Sequence, residues 1–189
     1  MLRNNYPNYF YTKDKTRIFY STNFSKNNFN SKKPLLIFNY GLICNNYHWS
    51  KQVPWFDQKN YNILLHDLRG HFNSGGQDDI DKCSFKNFAS DINQLLKYIN
   101  AKNPILIGHS MGVNVTLEYA KNYVEHLAGM VLISGSIFPP HDIIFKTNWA
   151  RIIIPFLKRF YSNNKKLFNF IWENSYLNPL ARKIVLYGG

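Results

Sequence analysis

Cysteine is scarce in this chain of 189 residues, with only Cys44 and Cys83. They form no CxxC pair and no metal-ligand spacing, which excludes a disulfide-built scaffold and a zinc-ribbon site and leaves free thiols as the expectation, with a single disulfide as the alternative. No apolar stretch approaches the ~18 residues of a membrane-spanning helix. The longest candidate, Ile152 to Leu157, is broken by Pro155 and flanked by Arg151 and Lys158. Met1 to Lys13 is polar and carries no apolar core of a signal peptide. Acidic residues are also few, 11 against 23 Lys and Arg, for a net charge of +12. That balance suits nucleic acid or an anionic surface. Yet the basic residues are scattered, the densest groups being Lys32-Lys33, Lys158-Arg159 and Lys165-Lys166, with no nucleic-acid motif beside them. A solvated basic surface is expected, with no nucleic-acid partner, no membrane contact and a cytoplasmic location. Repeats and low-complexity linkers are missing too. Hydrophobic residues make up 45% and aromatics 17%, enough for one domain with a real core and too much for a disordered chain.

What is present is alternation. Residues 9–22 read as a hairpin turning at Asp14-Lys15. Leu35 to Phe38 is a continuous apolar run, as in a strand buried on both faces, and Asn23 to Lys33 before it is a polar loop. A short helix is expected from Trp49 to Phe56, limited by Pro54. Tyr61 to His66 is a second buried strand. Phe85, Phe88, Ile92, Leu95, Leu96 and Ile99 share one face of a helix that Ser84 caps. Ile105 to Ile107 is a third strand, followed by a helix with Val113, Leu117, Ala120 and Val124 on its inner face. Met130 to Ile133 is a fourth strand. Strand and helix in alternation predict an α/β fold, a mostly parallel sheet with helices on both sides. From residue 141 the texture changes to Lys- and Arg-rich amphipathic helices carrying Trp149, Ile152, Phe156, Phe160, Leu167, Phe170 and Trp172.

Gly108-His109-Ser110-Met111-Gly112 has the form G-x-S-x-G between a predicted strand and a predicted helix. That context gives the string its meaning. The turn must be sharp, so Ser110 takes a strained backbone conformation, and the glycines leave room where side chains would clash. The hydroxyl is then lifted above the sheet at a helix N-terminus, where free N–H groups favour negative charge. Ser110 is the candidate nucleophile, with Gly108, His109 and Gly112 as elbow support.

In these residues the chain resembles the α/β-hydrolase superfamily, in the branch with carboxylesterases, lipases, perhydrolases and C–C bond hydrolases. The resemblance covers roughly residues 9–140. A second match is Asp67-Leu68-Arg69-Gly70-His71-Phe72-Asn73-Ser74, where the family often has Asp-x-Arg-Gly-His-Gly-x-Ser. Phe72 replaces the second Gly, and the family loop implies a structural role for Asp67, Arg69 and His71. A third match is Asn39-Tyr40-Gly41-Leu42, with Tyr40 where the family carries His. The resemblance implies that the N–H groups of Leu42 and Met111 form the oxyanion hole. It implies no metal and no organic cofactor.

A serine needs a base, and the base an orienting acid, in the chain order Ser, Asp or Glu, His. Four of the six histidines (His48, His66, His71, His109) precede Ser110, and His126 and His141 stand at the wrong places for the family base. Asp142 and Glu173 read as surface residues. The acid and the histidine of a triad are therefore assigned to no residue of this chain. The domain expectation is a core over 1–140 and a helical cap over 141–189, with the family's remaining strands beyond. Such a chain would be a fragment with an edge strand near 130–134, prone to aggregation, marginally stable and nearly inactive.

The expected function is a serine hydrolase acting on a carboxylic ester or related acyl substrate, small and apolar, through an acyl-enzyme on Ser110. A Ser at the elbow argues against epoxide hydrolases and haloalkane dehalogenases, which use Asp there. Acyl transfer or perhydrolysis on the same serine is the alternative, and so is a catalytically dead binding protein if Gly189 ends the natural chain. An interfacial membrane helix at 149–172 is a further alternative that a cap explains equally well. The sequence leaves the oligomeric state open.

Overall fold

The computed structural model describes residues 2, 6–25, 29–42 and 44–135. Residues expected to form the cap lie outside the described residues, as do His141, Asp142 and Glu173.

The chain opens with an antiparallel hairpin of β1 (Tyr6–Tyr11) and β2 (Arg17–Thr22). Its turn closes through Thr12 N–H to Thr16 O at 3.0 Å and Lys15 N–H to Thr12 O at 2.9 Å, with Lys15 at φ 63°. The strand begins three residues earlier than its apolar pattern suggests. Four parallel strands follow: β3 (Leu35–Asn39), β4 (Asn62–His66), β5 (Pro104–His109) and β6 (Gly129–Ile133). The sheet order is β1-β2-β4-β3-β5-β6. β3 lies between β4 and β5, so the chain reverses direction of travel across the sheet at β3.

Side chains alternate between the two faces of a strand, and both faces are filled. Leu35 and Ile37 of β3, Leu64 of β4 and Leu106 of β5 join one core with helix α2 (Phe85–Tyr98) and helix α3 (Met111–Tyr123). Leu36, Phe38, Ile63, Leu65 and Ile107 point the other way and pack on Trp49 and Val53. Val53 belongs to helix α1 (Gln52–Gln58). This is the two-sided parallel sheet that the continuous apolar runs predict.

Three details differ from the sequence reading. The helix expected at 49–56 is a single 3₁₀ turn at Asn46–Trp49 followed by α1, which runs through Pro54. Pro54 stands in the first turn, where its missing N–H would have had no intrahelical partner. Phe85 is exposed, although Ser84 caps α2 as expected by accepting the Asn87 N–H at 3.3 Å. The buried stripe of α3 is Gly112, Val115, Thr116 and Tyr119 together with Val113, while Val124 is 68% exposed. Thr116 and Tyr119 carry polar atoms, so the pattern of purely apolar residues pointed to the neighbouring stripe. β6 is the last strand at its edge of the sheet among the described residues, and Met130, Val131, Leu132 and Ile133 are exposed on it.

Candidate active site

The carboxyl ends of parallel strands are where open α/β sheets collect function, and here those of β3, β4 and β5 converge. Ser110 leaves β5 at φ 53° and ψ −118° and is the N-cap of α3. This backbone region costs roughly 1–3 kcal/mol and persists only where its surroundings enforce it. The enforcement is visible. Ser110 N–H donates to Ile133 O at 3.0 Å, and Ser110 O accepts from Val113 N–H at 3.0 Å. A Cβ on Gly108 would lie 2.5 Å from Gly112 O, and one on Gly112 would lie 2.1 Å from Asn39 O. Both glycines of the motif are thus demanded by backbone packing. Ser110 itself is exposed, at the start of the helix.

The segment after β3 lies against this elbow. A Cβ on Gly41 would come within 3.0 Å of Ser110 Cβ and 3.4 Å of His109 Nδ1. Leu42 follows at 63% exposure, and Met111 opens α3, whose first N–H groups have no partner inside the helix. Tyr40, standing where the resembling family has His, is completely buried, and its hydroxyl accepts the Leu68 N–H at 2.9 Å. Burial of the phenol, helped by the nearby Asp67, pushes its pKa far up, so it stays a neutral phenol. Tyr40 therefore ties the β3 segment to the loop after β4 by a bond of its own.

The loop Asp67–Ser74 is held by its own side chains, as its resemblance implies. Asp67 Oδ1 accepts from Asn46 Nδ2 at 2.9 Å, and Oδ2 accepts from the Asn73 backbone at 3.1 Å and side chain at 2.9 Å. Arg69 forms a buried pair with Asp91 on α2 (2.6 and 2.7 Å) and reaches Asp14 of the hairpin at 2.8 Å. Hydrogen bonding to Arg69 holds the Asp14 carboxyl well below the usual carboxylate range. His71 Nδ1 lies 3.0 Å from Arg69 O. Phe72 occupies the position of the family glycine at φ 44°, a conformation that a glycine adopts more easily.

His109 and His48 stack face to face, with ring centroids 4.4 Å apart and planes at 29°, and Trp49 meets both rings edge-on. Burial, followed by the neighbouring His109, lowers the pKa of His48. On the sequence His48 is set aside as a base because it precedes Ser110, and nothing in a linear motif places it beside His109. No linear motif shows that Asn39, His66 and Thr116 belong together, yet they form a buried hydrogen-bonded group beneath the elbow. A signal was there: Asn39 and His66 each place a polar residue at the end of an apolar strand. Among the described residues, His66, His71 and His126 are engaged with Asn39, Arg69 and Glu125 respectively. None of them is assigned as the base for Ser110. No cluster of three or more His, Cys, Asp or Glu fit for a metal occurs among the described residues, and no helix there is long and apolar enough to cross a membrane.

A parallel sheet that ends in a strained strand–serine–helix elbow, with a glycine-bearing segment against it, defines a protein of the α/β-hydrolase class. The chain belongs to the alpha/beta hydrolase fold family, whose model matches residues 34–184. It is 30% identical over 130 residues to a non-heme chloroperoxidase of Burkholderia pyrrocinia, covering 67% of this chain and 44% of that protein. It is 28% identical over 117 residues to the bifunctional esterase/perhydrolase DCH of Acinetobacter calcoaceticus, covering 61% and 41%. The chain thus spans less than half the length of these curated relatives. Among solved structures, an esterase from Exiguobacterium antarcticum superposes with a TM-score of 0.60 at 22% identity, covering 70% of this chain and 46% of that one. Epoxide hydrolase A from Mycobacterium thermoresistibile gives 0.60 at 21%, covering 74% and 44%. At these identities the superpositions show the fold.

Proposed function

We propose that this protein is a serine hydrolase that cleaves carboxylic esters through an acyl-enzyme on Ser110. The observation that carries the reading is the Ser110 backbone, at φ 53° and ψ −118° on top of the sheet, with both motif glycines required by backbone contacts. In this reading Ser110 Oγ attacks the ester carbonyl carbon and a general base takes its proton. The Leu42 and Met111 N–H groups hold the oxyanion of the tetrahedral intermediate, an interaction whose loss typically costs roughly a hundredfold or more in rate. The C–O bond to the alcohol breaks, and the alcohol leaves with the proton. Water then attacks the acyl-enzyme, the acid departs, and Ser110 regains its proton. The base and its orienting acid are assigned to no described residue. The substrate reading is a small apolar acyl ester.

A second reading, acyl transfer to hydrogen peroxide, is favoured by the likeness to the esterase/perhydrolase. The acyl-enzyme would then yield a peracid and free Ser110. The experiment offers the full-length protein a series of 4-nitrophenyl acyl esters with water alone and with added peroxide. Release of nitrophenol that Ser110→Ala abolishes supports the hydrolase, and peracid formed at the expense of acid selects the second reading. Equal release by Ser110→Ala rejects both.

A further inference from the structure

Three polar side chains lie in the core directly under the elbow. His66 at the end of β4, Asn39 at the end of β3 and Thr116 on α3 are 2%, 1% and 0% exposed. His66 Nε2 lies 2.9 Å from Asn39 Oδ1, Asn39 Nδ2 lies 3.0 Å from Thr116 Oγ1, and Thr116 Oγ1 lies 2.9 Å from Gly112 O.

The chemistry fixes the direction of this chain of bonds. A backbone carbonyl can only accept, so the Thr116 hydroxyl donates to Gly112 O. That hydroxyl must then accept from Asn39, which turns the amide nitrogen toward Thr116 and the amide oxygen toward His66. His66 is left as the donor, neutral and protonated on Nε2. Burial pushes its pKa down to about 4, in keeping with a neutral ring.

Each segment the bonds join carries a part of the site. Asn39 pairs with Gly108 in the sheet and lies three residues before Leu42. Gly112 follows Met111. A Cβ on Gly108 would meet Thr116 Oγ1 at 2.7 Å, so the hydroxyl sits directly beneath the turn. Apolar residues could fill this space without any polar group to satisfy, and a half-satisfied buried network is costly. What the polar group supplies and an apolar one does not is a fixed relative position of β3 and the start of α3. We infer that His66, Asn39 and Thr116 form a positioning relay that sets the spacing of the two oxyanion donors, Leu42 N–H and Met111 N–H. This rests on the serine-hydrolase reading.

The test compares Thr116→Val, which removes the hydroxyl at equal volume, with Thr116→Ser, which keeps it, in the full-length protein. The expected result for Thr116→Val is a kcat about tenfold lower with KM within twofold, and an equal loss of affinity for a trifluoromethyl ketone, whose adduct carries an oxyanion. Thr116→Ser should retain kcat within about threefold. Should Thr116→Val fail to fold, His66→Phe carries the same test at the far end of the relay, with a loss of about threefold in kcat. A Thr116→Val or His66→Phe protein with a lower melting temperature but unchanged kcat and ketone affinity overturns the relay alone. So does a Thr116→Ser protein as impaired as Thr116→Val. A wild type that neither turns over esters nor binds the ketone overturns the hydrolase reading and the relay with it.

Discussion

The carbonyl oxygen of Asn39 lies where a side chain on Gly112 would have to begin, 2.1 Å from an ideal Cβ there. The contact is backbone on both sides, so no rotamer change relieves it. Gly112→Ala must push α3 away from β3 and should destabilise by about 3 kcal/mol or more. Gly129 is the internal control, because a Cβ there meets only Ile105 at 4.0 Å. Gly129→Ala should change stability by less than about 0.5 kcal/mol. Urea unfolding of the two variants beside the wild type checks the contrast, and equal effects would mean that the elbow is looser than described.

Arg69 holds two carboxylates at once, Asp91 in the core and Asp14 at the hairpin turn. Arg69→Met leaves Asp91 buried and unpaired and should cost roughly 3–5 kcal/mol. Asp14 is partly solvated, so Asp14→Asn should cost about 1 kcal/mol or less. Denaturant midpoints measure both. A mild Arg69→Met would show that the pair adds little to the join between hairpin, loop and α2.

His66 makes stability depend on pH. Its pKa falls from 6.5 to about 4 on burial, with desolvation as the cause. Between those values the unfolded chain binds the proton and the folded chain does not, so stability rises with pH and is lost as pH falls from 6.5 toward 4. The full effect is about 3 kcal/mol. His66→Phe should flatten most of this slope, with His48, also shifted down by burial, leaving a smaller remainder. Unfolding measured at pH 7, 6, 5 and 4.5 for both proteins checks the difference, and parallel curves would contradict it.

The sheet and the elbow were legible in the sequence for physical reasons. Strands buried on both faces leave unbroken apolar runs, as at Leu35–Phe38 and Ile63–Leu65, and the sharp strand-to-helix turn at Ser110 admits few residues besides glycine at Gly108 and Gly112. Of the inner face of α3 only Val113 was legible, because Thr116 and Tyr119 are buried with their polar atoms and look solvent-facing in a linear pattern. The same holds for the relay. Asn39, His66 and Thr116 are far apart in sequence, and only the β4-β3-α3 arrangement brings their donors and acceptors into line. The His48–His109 stack likewise depends on where the 3₁₀ turn after β3 comes to rest.

The central claim is that Ser110 is a nucleophile in a preorganised elbow. The most direct measurement treats the full-length protein with a fluorophosphonate and locates the adduct by peptide mass. The account predicts one adduct per chain, on the peptide containing Ser110, and none in Ser110→Ala. A protein that stays unmodified, or one that is modified equally well after Ser110→Ala, would contradict it.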